Sequence, residues 1–302
     1  MTDFRSGFVA VIGRPNVGKS TLINTLLGQK VAAVSPRPQT TRRNQLGILT
    51  TDSAQVIFID TPGLHTPRHK LGEVLNQTAE EALDGVDSVL WLVDASNGPT
   101  DEDGMIASIL ATLPVQTPLV LALNKADLIQ AEALEARLHG YQALVAREAL
   151  SLPISALTGL GLDKLLSVLI ERLPVREAEF PEDQITDLYE REIAANLIRE
   201  ACLLHLRDEV PHCIAVRMDQ FTERENGNAY LAATLFVERK TQKGIVIGQG
   251  GQMLKKIGST ARQEIEAMSG RKVFLELRVK VLEGWRNKEE LLKRFGYHLR
   301  RK

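Results

Sequence analysis

An apolar run, Phe8-Val9-Ala10-Val11-Ile12, passes without a gap into Gly13-Arg14-Pro15-Asn16-Val17-Gly18-Lys19-Ser20. This is G-x-x-x-x-G-K-S at a strand-to-helix junction, and helical periodicity follows in Leu22, Ile23, Leu26 and Leu27. No other segment constrains the fold as tightly, because a phosphate-binding loop needs a buried strand before it and a helix N-terminus after it. The glycines let backbone N–H groups curl around a polyphosphate, Lys19 faces the outer phosphates, and Ser20 offers its hydroxyl to Mg²⁺. Thr21 completes the set as the helix begins with its positive end towards the anion.

Further strand ends carry the remaining nucleotide chemistry. Leu119 to Leu123 read as a buried strand ending in Asn124-Lys125-Ala126-Asp127. The Asp127 carboxylate can accept from guanine N1–H and the 2-amino group, a donor pair that adenine lacks, which selects GTP over ATP. Asn124 is expected to tie loops together and touch the base edge, with the Lys125 stem over a ring face. Ser155-Ala156-Leu157, after the strand Leu152-Pro153-Ile154, offers the Ala156 N–H to guanine O6. Val56 to Ile59 lead into Asp60-Thr61-Pro62-Gly63, where Asp60 is placed to hold Mg²⁺ and the Gly63 N–H to bond a γ-phosphate oxygen.

These motifs resemble those of the translation-factor-related bacterial GTPases over residues 13 to 157. Gln39-Thr40-Thr41-Arg42, after Ser35-Pro36-Arg37-Pro38, falls where such proteins carry their first switch. Either Thr40 or Thr41 supplies the Mg²⁺ ligand that senses the γ-phosphate. Where the Ras template has a water-orienting glutamine, this chain has Leu64, so unaided turnover is expected to be slow, and Leu64→Ala is expected to change it only modestly. Asn16 matches a position that in several relatives coordinates K⁺ as a charge stabiliser; a loop-stabilising role fits it equally well.

Six strands, at about 8–13, 46–50, 55–60, 88–93, 118–123 and 152–154, alternate with helical patterns at 20–28, 69–84, 101–112, 132–149 and 161–171. The pattern predicts an α/β domain over 1–174 with a mainly parallel sheet covered on both faces. Residues 175–186 are polar and Pro-bracketed and read as a linker. From 187 to 302 the order changes to helix (187–207), strands (212–219 and 229–239, joined by a turn at Glu225-Asn226-Gly227-Asn228), helix, helix and strand (273–282). Gly248-Gln249-Gly250-Gly251 lies between the last two helices, and this is the G-X-X-G loop of an α+β, type II KH domain. Its small residues let a nucleic-acid backbone approach closely, and Lys243, Lys255, Lys256 and Arg262 lie nearby.

Charge agrees with that reading. Formal net charge is −1, but residues 239–302 hold 17 Lys/Arg against 6 Asp/Glu, an asymmetry that predicts a polyanionic partner. No apolar stretch approaches the ~20 residues of a membrane span, and the N-terminus has no basic flank or cleavage site, so the cytoplasm is expected. Cys202 and Cys213 are too few for a disulfide framework or zinc site.

A P-loop GTPase with D-T-P-G and N-K-x-D, followed by this KH arrangement and Gly284-Trp285, resembles the Era family along essentially the whole chain. The resemblance implies a monomeric GTPase using GTP/GDP and Mg²⁺, which binds the 3′ end of small-subunit (16S) ribosomal RNA. It also implies a role in rRNA maturation and 30S subunit assembly, with peripheral membrane association. The alternative is an RNA-binding assembly factor whose bound nucleotide is mainly structural; the absence of glutamine at Leu64 keeps it open, while the γ-phosphate sensors weigh against it.

Overall fold

The structure, a computed structural model, describes residues 3–35, 37–145, 147–224 and 227–297. The chain divides into two compact units, the first comprising 1–32, 41–67 and 75–187, the second 33–40, 68–74 and 188–302.

The first unit is built on a six-stranded sheet. Its strands are β1 (Arg5–Ile12), β2 (Gln45–Thr50), β3 (Ala54–Asp60), β4 (Ser88–Asp94), β5 (Leu119–Asn124) and β6 (Leu150–Pro153), in spatial order β2-β3-β1-β4-β5-β6. Only β2 runs antiparallel, against β3. The central strands are near-continuous apolar runs because both faces are covered. On one face Val9, Val11, Leu90 and Leu92 pack with α1 (Lys19–Leu27) and α5 (Leu162–Arg172). On the other, Ala10, Ile12, Trp91 and Val93 pack with Ala79 and Leu83, Ile106 and Leu110, and Tyr141, which belong in or next to α2 (Lys70–Glu81), α3 (Asp101–Leu110) and α4 (Ala131–Gln142). The alternation within each strand thus separates two apolar layers. The expected helix at 132–149 stops at Gln142, with Ala143 as its C-cap; Ala146, inside the expected span, lies outside the described residues.

The stretch expected as a linker has partners along the sheet. Arg5 bridges Val175, Ile48 N–H donates to the Ile185 carbonyl at 2.8 Å, and the fully buried Gln55 clamps the segment. Gln55 Oε1 accepts from the Glu179 and Phe180 amides at 2.8 and 3.0 Å, while its Nε2 donates to the Phe180 carbonyl at 2.9 Å. A buried side-chain amide satisfied on both ends fixes chain that carries little apolar residue of its own.

The second unit carries α6 (Glu190–His205), β7 (Ala215–Glu223), β8 (Ala229–Val237), α7 (Lys240–Ile247), α8 (Gln252–Ser269), β9 (Val273–Val281) and α9 (Glu289–Arg294). β7 and β8 are antiparallel and β8 and β9 parallel, in the order β7-β8-β9. Leu231, Ala233, Leu235 and Val237 point to one face and pack under α6 and α8 through Leu197, Ala201, Ile257, Ala261 and Ile265. The first strand is shifted from the expected 212–219, because 211–213 form a 3₁₀ turn and a bulge between Met218 and Gln220 carries β7 on to Glu223. The hairpin closes with Arg224 N–H on the Asn228 carbonyl at 2.8 Å; Glu225 and Asn226 of the expected turn lie outside the described residues. α9 was not anticipated. It follows Trp285, which is fully buried, donates to the Cys213 carbonyl at 2.8 Å and meets Phe295 edge-on.

Candidate nucleotide site and nucleic-acid groove

The phosphate loop leaves β1 and opens α1 at Lys19. Lys19 is buried, and its Nζ donates to the Gly13 and Arg14 carbonyls at 2.9 and 3.0 Å. Burial pulls its pKa down to about 8; Asp60 opposes the shift and Arg14 adds to it. Two carbonyls are weak compensation for a buried ammonium, so the site is electrostatically prepared for an anion.

Asp60 ends β3, fully buried. Its Oδ2 accepts from Ser20 Oγ at 2.8 Å and Thr41 Oγ1 at 3.0 Å, and the two hydroxyls are 3.0 Å apart. Burial raises the Asp60 pKa, opposed by Lys19, Ser20 and Thr41. Asp60 Oδ1 is buried without a hydrogen-bond partner among the described residues. A set of hard oxygen donors around an unsatisfied carboxylate oxygen fits Mg²⁺. The two switch threonines part here: Thr40 Oγ1 donates instead to the Arg37 carbonyl at 3.1 Å. The boundary between the two units falls between them. Within the second unit, Arg199 of α6 donates to the Gln39 carbonyl at 2.9 Å and also to that of Thr40.

Thr61 is anchored on β1 by donating to the Val11 carbonyl at 2.7 Å, and Gly63 lies against the phosphate loop. A Cβ at Gly63 would come within 2.6 Å of the Pro15 nitrogen, so no larger residue fits without moving that loop. Leu64 is fully buried in the core with Ile12 and Trp91, and its N–H donates to the Gly13 carbonyl at 3.3 Å. Replacing it with alanine would therefore open a cavity, and the effect would not be limited to chemistry. Asn16 adopts a left-handed conformation at φ 64°.

At the base end, Asn124 Nδ2 donates to the Val17 carbonyl at 2.7 Å, and Asn124 Oδ1 accepts from the Ala156 amide at 2.8 Å. The Ala156 N–H expected for guanine O6 is thus engaged in the tie that joins the phosphate loop to the chain after β6. Leu157 is exposed, and Ser155 Oγ accepts from the Thr158 amide at 3.2 Å. Asp127 sits exposed in a short 3₁₀ turn. Lys125 Nζ lies 2.6 Å from Asp94 Oδ2.

Sequence reasoning missed Asp94 and Asp103. Burial alone would raise the Asp94 pKa, but Lys125 and Ser96 hold it below the usual carboxylate range. Arg14 reaches both acids, at 3.9 Å to Asp94 and 3.4 Å to Asp103. Asp94 was findable, because it terminates a parallel strand on the edge where such sheets bind ligands.

In the second unit, Gly248, Gly250 and Gly251 have φ of 73°, 56° and 81°, and a Cβ on Gly248 would come within 2.7 Å of Met253 Cβ. Below this loop lies an open groove of about 490 Å³ whose lining includes Gly251, Lys255, Gly258, Arg262, Leu275 and Leu277. Positions 255, 258 and 262 share a helix face. Lys243 and Lys256 do not line it. Lys256 is one position round the helix, and after burial its charge contributes to lowering the His205 pKa.

A P-loop nucleotide site on a mainly parallel sheet, followed by an αββααβ unit with a glycine-rich loop between its paired helices, defines a GTPase joined to a KH domain. A family model described as "50S ribosome-binding GTPase" matches residues 8–125, and a KH-domain model matches 209–286. GTPase Era of Ruminiclostridium cellulolyticum is 48% identical over 295 residues, and that of Heliobacterium modesticaldum 43% over 297, each alignment covering 98% of both chains. The chain belongs to the Era GTPase family. Among solved structures, Era in complex with MgGDPNP and nucleotides 1506–1542 of 16S ribosomal RNA has a TM-score of 0.91 at 39% identity, covering 98% of this chain and all of that one. An Aquifex aeolicus Era variant bound to GDP·AlF4⁻ has a TM-score of 0.90 at the same identity and coverage.

Proposed function

We propose that this chain hydrolyses GTP at the first unit, binds the 3′-terminal region of 16S ribosomal RNA in the groove beside Gly248 to Gly251, and acts in maturation of the 30S subunit. The observation that carries the reading is the convergence of Ser20, Thr41 and Asp60. A nucleotide kept only for structure would need no switch threonine beside the strand-end carboxylate.

Ser20, Thr41 and Asp60 would hold Mg²⁺, which when bound supplies positive charge to the β- and γ-phosphates. The phosphate-loop N–H groups from Asn16 to Ser20 orient the phosphates, and Lys19 recovers a full counter-ion when its carbonyl partners are exchanged for phosphate oxygens. Gly63 brings its N–H to the γ-phosphate, so the segment after β3 responds to its presence. Leu64 offers no hydrogen bond to the attacking water, which leaves unaided turnover slow. Asn16, on the exposed side of the loop, is our candidate K⁺ ligand. Asp127 reads guanine, and Asn124 fixes the loops around it. We place the protein in the cytoplasm, where its basic C-terminal region gives weak electrostatic contact with anionic lipid.

Multiple-turnover GTP hydrolysis, with and without the 1506–1542 RNA segment, tests the proposal on wild type, Lys19→Ala and a Gln249→Asp/Gly250→Asp double variant. Lys19→Ala should abolish turnover. The double variant should lose RNA affinity and keep GTP binding, since it puts two negative charges where the RNA backbone passes. Normal RNA binding by the double variant would refute the groove assignment, and K⁺-for-Na⁺ indifference would leave Asn16 structural.

A further inference from the structure

β9 is an edge strand, paired only with β8 among the described residues. Its odd-numbered residues Leu275 and Leu277 line the groove, whereas Phe274, Arg278 and Lys280, on the opposite face, are exposed. Phe274 is 59% exposed, and its ring stacks on Tyr230 of β8 with centroids 5.7 Å apart and planes 15° from parallel. The Arg224 guanidinium carbon lies 5.5 Å from the Tyr230 ring centre and 6.0 Å from that of Phe274. Tyr230 Oη donates to Glu276 Oε2 at 2.7 Å, and Arg278 holds the other oxygen of the same carboxylate at 2.9 Å. These bonds fix the tyrosine ring and so hold the phenylalanine ring against it. A large aromatic ring exposed to water on a sheet face gains nothing in folding from its outer surface.

We propose that Phe274, Tyr230 and Arg224 form a second base-stacking platform, which takes the single-stranded RNA that leaves the groove over the free edge of β9. Three features select RNA as the occupant. The platform shares β9 with the groove, so a strand crossing the edge moves from Leu275 and Leu277 to Phe274 and Arg278 without a gap. The face is cationic, with Arg217, Arg224, Arg278 and Lys280 set against Asp219 and Glu276. Aromatic rings flanked by arginine also stack any base, a sequence-tolerant grip suited to extending a specific contact.

The inference rests on the groove binding RNA, and the experiment separates the two. Affinities of the full chain are measured for the 1506–1542 segment and for the tightest-binding pentanucleotide within it. The Phe274→Leu/Arg224→Gln variant should weaken the long RNA roughly tenfold or more while leaving the pentanucleotide and GTP turnover unchanged. Unchanged affinity for the long RNA, or equal loss for both, would overturn the platform. Loss of neither RNA by the Gln249→Asp/Gly250→Asp variant would instead overturn the groove. Ultraviolet crosslinking of wild-type protein to 5-iodouridine-substituted long RNA gives a readout independent of any variant's folding. Crosslinks at Phe274 or Tyr230 support the platform, and crosslinks confined to α7 and α8 refute it.

Discussion

Ser20 Oγ donates to Asp60 Oδ2 across 2.8 Å, and Thr41 Oγ1 reaches the same oxygen at 3.0 Å. The three groups come from α1, β3 and the segment before β2, so the triangle closes only when Thr41 lies against the sheet's carboxyl edge. Thr40 has its own partner in the Arg37 carbonyl.

This contrast separates the two threonines experimentally. Thr41→Ala should raise the Mg²⁺ concentration needed for half-maximal GTP hydrolysis by at least about tenfold, a loss typical of a metal's supporting oxygen. Thr40→Ala should leave that requirement near wild type. A titration of turnover against Mg²⁺ decides it, and the reverse order of effects would move the ligand to Thr40.

Leu64 should matter to stability first. Leu64→Ala should cost about 2–5 kcal/mol, because the core around Ile12 and Trp91 loses contacts it cannot fully recover. Leu64→Met keeps the volume and should cost under about 1.5 kcal/mol. Urea unfolding of the two variants is the check; an alanine variant as stable as wild type would contradict the burial argument.

The phosphate loop, the strand ends and the KH order were legible because each is local: an apolar run, a turn chemistry and a helical period lie within about twenty residues. Thr40 and Thr41 were not separable, since adjacent identical residues differ only in which way the backbone turns them. Arg14, Asp94, Asp103 and Lys125 meet across long sequence separations, and no short spacing announces such a cluster. Gln55 stands near the start of β3, and the partners that bury it, the amides of 179 and 180, lie far along the chain where no local pattern points to them. The shift of β7 came from a bulge at Met218/Gln220, and strict alternation cannot anticipate an extra residue.

Asp127→Asn should convert the base preference. An amide in place of the carboxylate presents a donor to the guanine donors, while xanthine offers an acceptor there. GTP affinity should fall on the order of 100-fold or more, as expected when the hydrogen bonds that read a base are mismatched, and xanthosine triphosphate should support turnover. Competition binding with the two nucleotides measures the shift. Undiminished GTP selectivity would remove Asp127 from the base site.

The two thiols should be silent in the folded protein. Cys202 and Cys213 are both fully buried. Burial pushes the Cys202 thiol up to about 12, with Arg199 pulling weakly the other way, and Cys213 Sγ donates to the Val210 carbonyl at 3.0 Å. At pH 8 a thiol of that acidity is only roughly one part in ten thousand thiolate, and the thiolate is the reactive species. Ellman's reagent at pH 8 should therefore find no fast-reacting thiol in native protein and two in denaturant. Because the groups are inaccessible as well as protonated, native labelling should proceed only as fast as the second unit opens, and it should speed up with urea before the unfolding midpoint. Stoichiometric labelling of native protein within seconds would show that the core beneath α6 is open to solvent.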